Sequence, residues 1–67
     1  MYNIGDKVTY NGNGKAEPGI VKELGQDYEH VFVVYHCGGD WENYKNYTAA
    51  LTHVDHLHAG WIGFSHD

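Results

Sequence analysis

Three imidazoles and a carboxylate fall within six residues at His53-Val54-Asp55-His56-Leu57-His58, and the chain has six histidines among its 67 residues. Histidine, cysteine and carboxylate side chains bind zinc, nickel or copper when three or more donors converge at about 2 Å from the ion. His36 and Cys37 are adjacent and could add donors, or pair as base and thiolate nucleophile. Neither chemistry is well supported by spacing. In a turn followed by a strand, His56 and His58 share a side while His53 points elsewhere. No residue pattern supplies an oxyanion hole, and so short a chain leaves little room for a pocket. We therefore assign no catalytic residue, no metal and no cofactor, and keep a His-rich metal-binding protein only as an alternative.

The rings are the stronger signal. Two Trp, six Tyr and two Phe make 15% of the chain aromatic. Tyrosine and tryptophan suit binding surfaces because they bury large areas at little entropic cost. Asp40-Trp41-Glu42-Asn43-Tyr44-Lys45-Asn46-Tyr47 gathers rings and side-chain amides in one segment. The candidate binding surface is Tyr10, Trp41, Tyr44 and Tyr47, edged by Asp40 and Glu42. The competing reading is that Trp41 and Tyr47 fill a small core, as is expected of Trp61.

Charge narrows the partner. Nine acidic residues face four lysines, and there is no arginine, for a net charge of −5. Phosphate recognition draws on Lys and Arg, so nucleic acid is an unlikely partner. Protonation of the histidines below about pH 6 reverses that balance. Asp27, Glu29, Asp40, Glu42, Asp55 and Asp67 form either an ordinary solvated surface or an anionic face for a basic protein. Small acidic proteins of phages and mobile elements block host proteins in the latter way, and this analogy extends to the present chain. A small-ligand or nucleotide binder is the other alternative, with the Gly38-Gly39 turn offering backbone amides to one phosphate.

The elements that must carry these residues are short strands. Asp6 to Tyr10 alternates, with Val8 and Tyr10 on one side. Asn11-Gly12-Asn13-Gly14 supplies tight-turn residues. Gly19 to Leu24 is a second strand whose alternation slips between Val21 and Leu24, predicting a bulge. His30 to Cys37 is the third, apolar on both faces: Val31, Val33, Tyr35 and Cys37 on one, Phe32 and Val34 on the other. Its outer face needs cover from a loop, a terminal segment or a second subunit. Trp41, Tyr44, Tyr47, Leu51 and Val54 recur with a helical period. Their neighbours are mediocre helix formers, so a loop or single turn over Trp41-Tyr44 and then a strand near Tyr47-Thr52 is favoured. Val54 to Leu57 reads as a helical turn, and Ala59 to Phe64 as a closing strand.

In order and punctuation, the chain resembles SH3-like small barrels of the Tudor or KOW kind. Gly5-Asp6-Lys7-Val8, Pro18-Gly19-Ile20-Val21 and the His30 to Tyr35 strand carry the likeness. It implies an all-β, five-stranded small barrel, or a strongly bent antiparallel sheet, with a short helical turn before the last strand. It also implies a binding role toward peptides, modified side chains or nucleic acid. The KOW kind uses basic residues that this chain lacks, and the Tudor kind an aromatic cage for methylated cations. Residues 1–67 make one domain. Its core is drawn from Val8, Ile20, Val21, Leu24, Val31, Val33, Leu51, Leu57 and Trp61. The expectation is a non-enzymatic module binding a protein or peptide, assembled as a homodimer or higher oligomer through Phe32, Val34 or the last strand. A single cysteine, the lack of a secretion signal and the lack of an apolar run near 20 residues predict a cytoplasmic protein with no membrane span. Asn46-Tyr47-Thr48 spells a glycosylation acceptor that this setting leaves unused.

Overall fold

Alternation of apolar and polar residues in short, turn-bounded runs produces five strands in a computed structural model that describes residues 2–12 and 14–62. The strands are β1 (Lys7–Tyr10), β2 (Glu17–Leu24), β3 (His30–Val34), β4 (Ala50–His53) and β5 (Leu57–Ala59). Two 3₁₀ turns interrupt them, Trp41–Asn46 between β3 and β4 and Val54–His56 between β4 and β5. All five strands join one antiparallel sheet in the order β4-β3-β2-β1-β5. The fold is all-β. The closing strand lies earlier than Ala59–Phe64, at Leu57–Ala59, and Gly63 and Phe64 fall outside the described residues.

Register decides what each face holds. Residues opposite one another across an antiparallel ladder point to the same side. Val8 faces Gly19, Tyr10 faces Glu17 and Leu57, and Val21 faces Val33. These belong to the first face, where Val8, Val21, Val31, Val33 and Leu57 form the core, with Tyr2, Tyr10, Tyr35 and Val54 packed against it. Burying a valine side chain contributes roughly 1.5–3 kcal/mol, so this small cluster is a principal source of stability.

The second face carries Lys7, Ile20 and Val34 in one row. Val34 is fully buried although it lies outside the core cluster. The 3₁₀ segment Trp41–Asn46 packs against β2, and the Lys22 Nζ donates to the Tyr47 carbonyl at 2.7 Å. On the same side the chain after β5 is tied down through Thr9. The Thr9 hydroxyl donates to the Gly60 carbonyl at 2.7 Å and accepts from the Ile62 amide at 3.0 Å. The cover that the doubly apolar third strand requires thus comes, at Val34, from the chain itself.

Three core assignments change. Leu24 is 44% exposed and Leu51 60% exposed. The ladder shifts register between Val21 and Glu23, at the expected bulge, and leaves Leu24 at the open end of β2. Leu51 pairs with Phe32 on the second face, at the edge strand. Trp61 is only half-buried and lies beside Lys7 and Trp41, its indole Nε1 donating to the Gly19 carbonyl at 3.0 Å. Val34 and Cys37 are buried in their place.

Candidate functional site: two aromatic clusters

The segment rich in rings and amides folds on its own hydrogen bonds. A 3₁₀ helix stacks residues three apart, and Trp41, Tyr44 and Tyr47 have that spacing. All three are half-buried, while Glu42, Asn43, Lys45 and Asn46 are exposed. Asp40 organises the segment. Its Oδ1 accepts from Asn43 Nδ2 at 2.9 Å, and its Oδ2 from the Tyr47 hydroxyl at 2.9 Å. The bond to the Asp40 carboxylate, followed by burial, pushes the Tyr47 phenol above its ordinary range. Both carboxylate oxygens of Asp40 therefore accept a bond inside the loop.

Trp41 packs on Trp61 with centroids 5.0 Å apart, and the Lys7 ammonium sits 4.8 Å from the Trp61 ring centre. With Ile20 and Glu42 these residues border an open hollow of about 490 Å³. Tyr44 extends the other way, its hydroxyl close to Gly5, whose backbone has a φ of +94°. Five of the six candidate residues are thus brought together on the second face. Of these, the three rings are half-buried and Glu42 is exposed.

Tyr10 stands apart, at the end of β1 on the first face. Its ring meets Tyr35 edge-on at 5.6 Å and 66°, and His56 at 6.1 Å and 72°. Glu17 is its cross-strand neighbour. The position opposite Ile20 on β3 is Val34, so Tyr35 continues the ladder over Gly19. A methyl on Gly19 would lie 2.5 Å from Val33 and 3.1 Å from the Tyr35 ring, so the missing side chain leaves room for both. The Tyr35 hydroxyl shares a 2.8 Å hydrogen bond with Thr52 Oγ1 on β4. Burial raises the Tyr35 phenol above its ordinary range against the opposing effect of the Thr52 bond, and the charges of Tyr10 and Glu17 add to the rise. Tyr10, Glu17, Tyr35, Thr52, His53 and His56 line a cavity of about 350 Å³ at this corner.

Glu17 and Tyr35 were not among the candidate binding residues, and His56 was a candidate only as a metal donor. A turn confined to residues 11–14 would set Lys15 opposite Tyr10. The connection instead runs over residues 11–16 and sets Glu17 there, which the turn residues alone do not indicate.

Of the histidine string, His53 and His56 keep their rings in contact at 6.1 Å, and His58 lies apart. His53 accepts from the Asp55 amide at 3.1 Å as the cap of the second 3₁₀ turn and packs on His30 at 4.9 Å, while His58 is exposed on β5 opposite Thr9. Among the described residues no group of three or more His, Cys, Asp or Glu side chains converges as a metal ion requires. Cys37 is buried and unbridged. No helix of the described residues is long and apolar enough to cross a membrane.

No known protein family, curated protein or solved structure matches this chain.

Proposed function

We propose that the chain is a non-enzymatic binding module of the SH3-like small-barrel kind, which recognises a protein or peptide through a cationic side chain. The strand order β4-β3-β2-β1-β5, with the last strand returning beside the first, supports the barrel reading. One observation carries the function: the rings of Tyr10, Tyr35 and His56 meet at a corner beside the Glu17 carboxylate. Ring faces attract cations by their quadrupole, by about 0.5–2 kcal/mol each according to desolvation. A carboxylate next to them adds Coulomb attraction that burial strengthens. The net charge of −5 draws basic partners over longer range.

Titration with a short lysine-containing peptide, against the same peptide with norleucine for lysine, tests this reading. Only the lysine peptide shifts the resonances of Tyr10, Tyr35 and Glu17, and Tyr10→Ala or Glu17→Gln weakens it at least fivefold. Equal binding of both peptides contradicts the cation reading.

A separate cavity of about 370 Å³, lined by Tyr2, Leu24, Tyr28, His30, Val31 and Val54, favours the small-ligand alternative. Its wall includes Tyr28, a tyrosine 78% exposed and held at a φ of +61°. Such strain in a non-glycine residue is often kept for a reason.

A further inference from the structure

We infer that the partner is bound as an added β-strand along the free edge of β4, with basic and apolar side chains alternating along it. The inference rests on the cation-site reading of the Tyr10 corner and gives that site its direction. β4 is the last strand of the sheet, and among the described residues it pairs with β3 alone. An unpaired edge presents a row of backbone donors and acceptors to another extended chain.

The ladder identifies which groups are free. The Val54 amide donates to the Glu29 carbonyl at 2.8 Å, so that pair is of the hydrogen-bonded kind. Antiparallel pairs alternate, and the register continues through His30 with His53, Val31 with Thr52, Phe32 with Leu51 and Val33 with Ala50. Thr52 and Ala50 therefore turn their backbone groups inward to β3. Leu51 and His53 turn theirs outward, to the open edge.

Both sides of that edge are hollow. On the first face lies the cavity of Tyr10, Glu17 and Tyr35, which also reaches Ala50 to His53. On the second face, Phe32 and the 60% exposed Leu51 line a hollow with Leu24 and Glu23. A strand sends successive side chains to opposite faces. One laid against Leu51 and His53 places a cation over Glu17 and the rings, and the next side chain on Phe32 and Leu51. A second copy of this chain does not fit as well. Its own edge reads Ala50-Leu51-Thr52-His53, which has no Lys or Arg, and a net charge of −5 on each copy opposes self-pairing. The occupant is a basic segment of a different protein.

The chain is short enough for total synthesis, which allows N-methylation of Leu51 alone. This removes one outward donor and no bond to β3. The probes are an eight-residue peptide alternating lysine and valine, and tetramethylammonium as a bare cation. The N-methyl protein is expected to bind the peptide at least tenfold more weakly and tetramethylammonium unchanged. In the unmodified protein, saturating peptide is expected to slow hydrogen exchange of the Leu51 and His53 amides at least tenfold, a readout that does not depend on how the variant folds. Unchanged peptide affinity or unchanged exchange overturns the edge inference while leaving the corner intact. Loss of tetramethylammonium binding through Glu17→Gln, with peptide affinity unaffected, also overturns it. If N-methylation instead abolishes a dimer of the protein and no peptide competes, the edge belongs to a second copy and the inference fails.

Discussion

The rings of Tyr10 and Tyr35 meet edge-on at 5.6 Å, and the Tyr35 ring lies close over Gly19. This contact joins β1 to the end of β3 across β2, and it depends on a residue with no side chain. Gly19 here serves close approach, since its backbone is not among those with positive φ. Gly19→Ala is expected to destabilise the fold by roughly 1–3 kcal/mol, the cost of overpacking a filled site. Chemical denaturation measures it. A smaller loss, with the Tyr35 resonances unmoved, means that the space at Gly19 is not what holds the ring.

Alkaline titration should expose the burial of Tyr35. Its phenol is raised, chiefly by burial, so the neutral form is favoured in the folded chain. The resulting stability is intact below the ordinary tyrosine value near 10 and is lost as pH rises through the higher folded value. Tyr35→Phe removes that alkaline slope and also the bond to Thr52, at a cost of about 1 kcal/mol at neutral pH. Denaturation midpoints measured across that range check both effects.

Acid has the opposite sign at Asp27. Its carboxylate takes the His30 ring nitrogen at 2.7 Å and the amides of Glu29 and His30 at 3.0 Å each, and these bonds, the His30 side chain first, lower its pKa. The contribution is present above the ordinary aspartate value near 4 and disappears as pH falls through the lower folded value. Asp27→Asn is expected to flatten stability below about pH 4 and to loosen the turn that carries Tyr28. Tryptophan fluorescence followed down to acid pH reads the first, and amide exchange of residues 26–29 the second.

Asp40→Asn tests the assignment of that residue to the loop. Removing the charge beside the Tyr47 hydroxyl lets the phenol ionise at lower pH than in the parent chain. A spectrophotometric tyrosine titration shows the displacement, and an unchanged curve contradicts the assignment.

Much of the sheet was legible in the sequence because alternation and turn residues are local signals. The first three strands, the bulge after Val21 and the 3₁₀ turn at Val54 follow from them. The third strand, however, ends at Val34 rather than Cys37, the fourth runs over Ala50–His53 rather than near Tyr47–Thr52, and the last over Leu57–Ala59 rather than Ala59–Phe64. What was not legible depends on contacts between distant segments. The spacing of three between Trp41, Tyr44 and Tyr47 fits a 3₁₀ turn as well as an α-helix, and only the packing of that segment on β2 makes the inward rings structural. Val34 looked like an intermolecular surface because strand periodicity cannot name the loop that covers it. With Val34 buried by its own chain, the expectation of self-association retains only Phe32 and the last strand as support. The candidate surface was read as one patch because its residues cluster in sequence, yet the sheet places Tyr10 on one face and Trp41 on the other. Glu17 and Tyr35 reach Tyr10 through cross-strand register and through the gap at Gly19, neither of which is visible one residue at a time.

The central claim is that the Tyr10 corner, not the tryptophan pair, is where a basic partner binds. Isothermal titration of one lysine-containing peptide into the parent chain, Glu17→Gln and Trp41→Ala tests it most directly. Glu17→Gln is expected to lose at least fivefold in affinity and Trp41→Ala to keep the parent affinity, its effect falling on stability by about 2 kcal/mol, half the cost at a fully buried site. Loss of binding in Trp41→Ala with Glu17→Gln unaffected would move the site to the opposite face of the sheet and contradict the account.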